Sequence, residues 1–162
     1  MPCDDSIEAT LCWILKDGKV LLKLADRGIS EGKWNAVGGK VDFGETPLEC
    51  VKREVLEEAG LRINEPFYHG KVKFFFGNDV KSNSYKTWIV HIFSTDRFTG
   101  ELKESEEGRL RWFGIDEIPF DKMWHDDEHW VPLMLAGKRF YGEFFFSEDG
   151  KELQRHELKS KN

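Results

Sequence analysis

Residues 39 to 61 of this 162-residue chain read Gly-Lys-Val-Asp-Phe-Gly-Glu-Thr-Pro-Leu-Glu-Cys-Val-Lys-Arg-Glu-Val-Leu-Glu-Glu-Ala-Gly-Leu, with acids, an arginine and glycines at set offsets. Glu45, Thr46 and Pro47 read as a helix start, because acids favour the positive helix end and proline suits the first turn. Gly60 reads as the stop. At about 100° per residue, Leu48, Val51, Val55 and Ala59 share one stripe, and Glu54, Glu57 and Glu58 fall together on the other side. Carboxylates at i, i+3 and i+4 repel by roughly 0.2–0.5 kcal/mol per pair, so the spacing calls for a cation.

A charged helix side is ordinarily a solvated face. Two details point elsewhere. Arg53 precedes Glu54 and can orient a carboxylate through two parallel hydrogen bonds. The helix also follows Gly38-Gly39 after a short loop, so a backbone carbonyl can approach the same point. Hard oxygen ligands of this kind suit Mg2+, with Mn2+ as a substitute, and do not suit zinc.

The segment fits G-x5-E-x7-R-E-U-x-E-E-x-G-U, with U aliphatic, at every position. From residue usage alone such a match is expected in far fewer than roughly one chain in a million. This is the Nudix box, and the chain resembles a Nudix hydrolase. The resemblance implies an α+β Nudix fold: an α/β/α sandwich with a mixed β-sheet between the box helix and a helix of the C-terminal half, plus a closing hairpin. It also implies Glu54, Glu57 and Glu58 as metal ligands, with the Gly38 carbonyl as a further one. Glu45 and Arg53 are then supports that position the acids, Arg53 counting with the glutamates in the catalytic set. In the acidic loop, Glu107 best matches a further glutamate of metal or base work, with Glu104 and Glu106 close by.

The remaining sequence places that motif. Ile7 to Lys16 and Lys19 to Leu24 read as a hairpin around Asp17-Gly18. Ala25 to Lys33 reads as a loop, and Trp34 to Val37 as a short strand. Phe67 to Gly77, Lys86 to Thr95 and Leu110 to Ile115 read as strands, with an acidic loop from Glu101 to Gly108. Trp130 to Ala136 reads as a helix. Phe140 to Phe146 and Leu153 to Leu158 read as a hairpin across Glu148-Asp149-Gly150. Two helices flanking a mixed sheet is the natural layering of one domain over residues 1–162.

Formal net charge of -6 argues against a nucleic-acid surface, but not against a nucleotide whose phosphates meet metal ions. Cys3, Cys12 and Cys50 are too scattered for a disulfide framework and point to a reducing cytoplasm. With no apolar run of about 18 residues and no apolar leader, neither a membrane span nor secretion is expected. The expected partner is a small-molecule nucleotide, met by a monomer.

The box specifies cleavage of a nucleoside diphosphate linked to another group, and residues outside it must choose the substrate. In Phe120 to Trp130, an indole face at Trp124 can stack on a purine, and a carboxylate matches the two-donor edge of guanine. Close carboxylates need not both ionise, so one of Asp126 and Asp127 can donate while the other accepts. From this stretch alone, the aspartates read equally as caps of the next helix, and Trp124 and Trp130 as core.

Resemblance shifts the balance. Trp34-Asn35-Ala36-Val37-Gly38-Gly39-Lys40, the segment from Ile118 to Leu133, and Phe140 to Phe146 are similar to the family branch that hydrolyses oxidised purine nucleoside triphosphates. The likeness runs from about Thr10 to Leu158 and is weaker between Arg62 and Leu110. It implies Asn35, Trp124, Asp126 and Asp127 as base contacts and Thr10, Phe74 and Phe76 as pocket lining; Lys40, just past the glycines, adds charge for the phosphates. Three positions depart: Ala25 replaces a lysine near the substrate, Ile29 a pocket phenylalanine, and His125 a proline. The reading is therefore Mg2+-dependent hydrolysis of oxidised purine nucleoside triphosphates such as 8-oxo-dGTP to monophosphate and pyrophosphate. The rivals are a Nudix pyrophosphatase for ADP-ribose or a dinucleotide, and a nucleotide sensor without catalysis.

Overall fold

The computed structural model describes residues 6–25, 30–77, 86–103 and 108–161. Strands β1 (Ile7–Lys16) and β2 (Lys19–Ala25) form the expected hairpin. Its turn residues Asp17 and Gly18 both take positive φ, 51° and 74°, the twist that a tight antiparallel connection requires. The short strand expected at 34–37 is two pieces, β3 (Trp34–Asn35) and β4 (Val37–Lys40), broken at Ala36, whose N–H is turned to the Asn35 side chain.

Helix α1 (Pro47–Ala59) begins where proline and the acids predict. Its cap is reciprocal: Glu49 N–H donates to Thr46 Oγ1 at 3.1 Å, and Thr46 N–H donates to Glu49 Oε1 at 2.9 Å. Gly60, at φ 75°, ends the helix with its N–H on the Leu56 carbonyl. Val51, Val55 and Ala59 are buried as the stripe predicts, but Leu48 is 43% exposed and Cys50 is buried in its stead. The first turn is met by Thr10 and the Gly39 and Lys40 carbonyls, and these lie against Cys50.

Beyond α1 come β5 (Leu61–Ile63), β6 (Phe67–Phe76), β7 (Lys86–Thr95), β8 (Phe98–Gly100) and β9 (Gly108–Gly114). Two short 3-10 turns, Ile115–Glu117 and Phe120–Lys122, lead to α2 (Asp127–Leu135), which starts three residues before the expected Trp130. The chain closes with β10 (Arg139–Phe146) and β11 (Leu153–Lys161), the hairpin the sequence predicts, with β11 running past Leu158.

Among the described residues the main sheet has nine strands, ordered β11-β10-β6-β7-β1-β2-β3, with β4 on β1 and β9 on β2. It is mixed: β1 runs parallel to β7 and β10 parallel to β6, while the other pairs are antiparallel. Strand β1 serves two partners in turn. Its Ala9 to Cys12 stretch pairs with β4, and only Leu15 and Lys16 pair with β2. The two hairpin strands therefore splay, and the Gly38-Gly39 segment enters the fork.

Side-chain alternation along β1 divides the core. Cys12 and Ile14 join Leu21, Val37, Phe93 and the buried stripe of α1. Ala9 and Trp13, with Leu11 and Leu15 packed alongside, face the other way, into a cluster with Trp130, Val131 and Met134 of α2 and Phe140, Phe144 and Phe146 of β10. The sheet thus lies between α1 and α2, the α+β layering expected. Among the described residues no helix is long and apolar enough to cross a membrane.

Candidate active site

A cavity of about 1030 Å³ opens at the fork and runs across the α2 face of the sheet. One end is acidic and polar. Lys23, Gly38, Gly39, Lys40 and Glu58 line it there. At the other end, Phe74, Phe76, Trp88 and Val90 line it with Trp124, Asp126 and Asp127. The register explains the aromatic floor: Phe74 is the cross-strand partner of both Phe144 and Trp88, and alternate residues share one face.

Arg53 organises the acidic end. Its Nε donates to Glu45 Oε2 at 2.7 Å and its Nη2 to Glu45 Oε1 at 3.0 Å. Nη1 donates to Glu54 Oε1 at 2.8 Å and to Glu57 Oε2 at 3.2 Å. Nη2 also donates to the Lys40 carbonyl at 3.1 Å, tying the helix to β4. The guanidinium holds the Glu45 carboxyl near 2 and is itself pushed further up by Glu45. Glu57 remains largely exposed, whereas Glu54 and Glu58 are mostly covered.

Burial raises the Glu58 carboxyl, the Lys23 ammonium opposes that shift, and the nearby Glu54 carboxylate adds to it. Glu54 lies flat against Gly39: a Cβ on Gly39 would run into the Glu54 carboxyl group, so only glycine admits this approach. A Cβ on Gly38 would instead strike the Thr10 carbonyl. A cradle of covered, mutually repelling carboxylate oxygens beside bare backbone fits a hard divalent cation. Among the described residues the acids are not gathered as one ready ligand cluster. Glu58 is engaged by Lys23, and Glu57 by Arg53.

At the base end, Asp126 and Asp127 are 1% and 2% exposed. The capping alternative does not hold for Asp126, which stands at the N-cap of α2 without a side-chain bond to the helix backbone. Its Oδ2 accepts from Trp130 Nε1 at 2.7 Å, while Asp126 Oδ1 and Asp127 Oδ2 have no partner among the described residues. Burial pushes both carboxyl groups far above the ordinary range, and the Asp126 charge raises Asp127 further. A buried carboxyl pair in this state, lining the cavity, can donate as well as accept hydrogen bonds. Trp130 itself is core, as its alternative reading had it.

Trp124 is held on several sides. Its Nε1 donates to Ser30 Oγ at 3.1 Å, and Phe76 and Phe146 meet it edge-on at 5.8 and 5.6 Å. Gly150, in the β10–β11 turn, lies so close that a Cβ would stand 2.8 Å from the ring. Asn35 lines the cavity, its Oδ1 accepting from the Ala36 N–H. Thr10 also lines it, although its hydroxyl is engaged by the Gly39 carbonyl and Cys50. Lys40 stands over the Trp88 ring at 5.6 Å.

The structure therefore brings Thr10, Asn35, Gly38, Lys40, Glu58, Phe74, Phe76, Trp124, Asp126 and Asp127 to one cavity. Arg53, Glu54 and Glu57 stand behind its acidic end. Glu104, Glu106, Glu107 and Ile29 lie outside the described residues. Lys23, Trp88 and Glu148 line the cavity without having been singled out in the sequence. For Trp88 a signal existed, the alternation of Trp88 and Val90 along β7; Lys23 and Glu148 carry none.

Residues 6–134 match the NUDIX domain. The chain belongs to the Nudix family. This Nudix hydrolase is 46% identical, over 137 residues and 85% of each chain, to a zebrafish (Danio rerio) protein named oxidized purine nucleoside triphosphate hydrolase. It is 43% identical, over 139 residues and 86% of each chain, to the mouse (Mus musculus) protein of the same name. A crystal structure of the MutT protein from Bacillus halodurans superposes with a TM-score of 0.84 at 32% identity, covering 94% of this chain and 97% of that one. Members of the family are hydrolases that work with divalent metal ions. The reading as a sensor without catalysis is set aside by the company the chain keeps.

Proposed function

We propose that this Nudix hydrolase cleaves oxidised purine nucleoside triphosphates, 8-oxo-dGTP among them, to monophosphate and pyrophosphate. The observation that carries this reading is the buried pair Asp126 and Asp127, which line the same cavity as Glu58 and keep Asp126 Oδ1 and Asp127 Oδ2 without a partner among the described residues. Ordinary carboxylates cannot both read the donor edge and the altered acceptor edge of a damaged base. A pair that retains protons can. Two relatives named for oxidised purines support the same substrate class.

In this reading the purine lies against Trp124, with Asp126, Asp127 and Asn35 on its polar edge and Phe74 and Phe76 beneath. The phosphates then reach the fork, where Lys40 adds positive charge. Glu54, Glu57, Glu58 and the Gly38 carbonyl hold Mg2+, or Mn2+ in its place, and Glu107 serves metal or base work. The ion supplies neutralisation of the phosphates and an acidified water. Arg53 fixes the angle of Glu54 and Glu57, and through Glu45 and the Lys40 carbonyl it fixes the helix against β4. A single domain acting as a monomer in the cytoplasm completes the proposal.

A nucleotide panel at equal concentrations, with and without Mg2+, tests it. The expected result is Mg2+-dependent release of pyrophosphate with 8-oxo-dGTP preferred over dGTP, ADP-ribose and dinucleotides. Preference for ADP-ribose or a dinucleotide refutes the substrate. Glu54→Gln and Glu57→Gln should fold normally and lose turnover; near-normal rates refute the ligand assignment.

A further inference from the structure

Among the described residues, Lys23 is the one cavity-lining lysine bonded to a residue of the proposed metal set. Its Nζ lies 2.9 Å from Glu58 Oε2, with the two side chains only 18% and 12% exposed. It stands on the α1 side of β2, sharing that side with Leu21 and Ala25, and it is the register partner of Asn35.

The partners of the two key acids differ in kind. Arg53 is shared among Glu45, Glu54, Glu57 and the Lys40 carbonyl, so its guanidinium is committed to the scaffold. Among the described residues Lys23 pairs through its side chain with Glu58 alone, across 35 positions of sequence. A lysine ammonium is a compact point charge on a flexible stem and can withdraw without dismantling a network. It occupies the carboxylate oxygen that a divalent ion needs.

We propose that Lys23 is a resident counter-ion of Glu58, which a divalent ion must displace to enter the acidic end of the cavity. The free enzyme thereby resists loading by the metal alone. The ion then enters best together with a polyphosphate, whose negative charge gives the displaced ammonium a new partner. This inference rests on the metal assignment proposed above, and concerns only what sets the affinity of that site.

Direct Mn2+ titration by electron paramagnetic resonance, at pH 8 and without nucleotide, tests it. Lys23→Met should bind Mn2+ about three- to tenfold more tightly than the wild type, the scale of one partly covered ion pair. Lys23→Arg, which keeps the charge, should stay near the wild-type affinity. Introducing Glu58→Gln into the Lys23→Met protein should abolish the gain, since the effect runs through that carboxylate. Circular dichroism of each variant confirms folding, and Lys23→Gln replaces Lys23→Met if the latter does not fold. Equal or weaker Mn2+ binding by folded Lys23→Met overturns the counter-ion role while leaving the catalytic reading standing. Absence of Mn2+ binding by the wild type and all variants, with or without nucleotide, overturns both.

Discussion

The Trp130 indole N–H donates to Asp126 Oδ2 at 2.7 Å, from one turn further along α2, and so leaves Oδ1 as the Asp126 oxygen without a partner among the described residues. Asp126→Asn keeps the shape and can still accept from Trp130, but it loses the ability to change protonation. The Michaelis constant for 8-oxo-dGTP should rise about ten- to a hundredfold, corresponding to about 1–3 kcal/mol for one mispaired buried group, with kcat little changed. Steady-state kinetics on 8-oxo-dGTP and a second oxidised purine check this. Identical behaviour on both substrates would show that the base is read elsewhere.

The same pair makes stability fall with rising pH. Burial raises the Asp126 carboxyl from its ordinary value to about 7 in the folded protein, and Asp127 moves in the same direction. A carboxyl raised by folding contributes stability fully below about pH 4, its unfolded range, and the contribution is lost as pH rises towards 7. Melting temperatures of the wild type and Asp126→Asn/Asp127→Asn should therefore diverge between pH 4 and 7, with the variant gaining on the wild type. A constant gap across that range contradicts the burial of two protonated groups.

Arg53→Lys retains the charge and removes the fork. A single ammonium cannot serve Glu45, Glu54, Glu57 and the Lys40 carbonyl together. Loss of a positioning partner of this kind is expected to lower kcat about ten- to a hundredfold. Circular dichroism should report an intact fold. Unchanged turnover would show that the acids are oriented without it.

Gly38→Ala and Gly39→Ala should fail differently. A methyl at Gly38 strikes the Thr10 backbone, so the melting temperature drops. A methyl at Gly39 strikes the Glu54 carboxyl group, which moves at small cost to the fold and large cost to Mn2+ affinity. Paired melts and Mn2+ titrations separate the two, and similar profiles for both variants argue against the assignment of Glu54.

Trp124→Ala should raise the Michaelis constant for every purine substrate while sparing Mn2+ binding. Base-on-aromatic stacking contributes about 1–3 kcal/mol, so a rise of roughly five- to a hundredfold is expected. Activity on inorganic polyphosphate, if any is present, should not change.

What the sequence disclosed follows the range over which each signal acts. Helix α1, its proline, its acids and its terminal glycine are local, and the structure has them where the pattern puts them. Leu48 and Cys50 were exchanged, because a helical stripe does not say which strand meets the first turn. Strands β5 and β8, three residues each, were missed since so short a run has no alternation to read. The start of α2 was placed late because Asp127, Glu128 and His129 have no apolar period. Within the cavity, residue chemistry offered Trp124, Asp126 and Asp127 only beside core and capping alternatives, and Thr10, Asn35, Phe74 and Phe76 came from resemblance alone. Lys23 was not legible at all, as its partner comes from another element 35 positions away.

The clamp on Trp124 by Gly150, Phe76, Phe146 and Ser30 bears on how tightly a nucleobase can be held. A ring held by its own protein on these sides has little rotamer freedom left to surrender on contact, so more of the dispersion gained against a purine is retained as affinity. Lengthening the hairpin tip at Gly150 would loosen that wall, and discrimination among damaged bases would blur before hydrolysis itself was impaired.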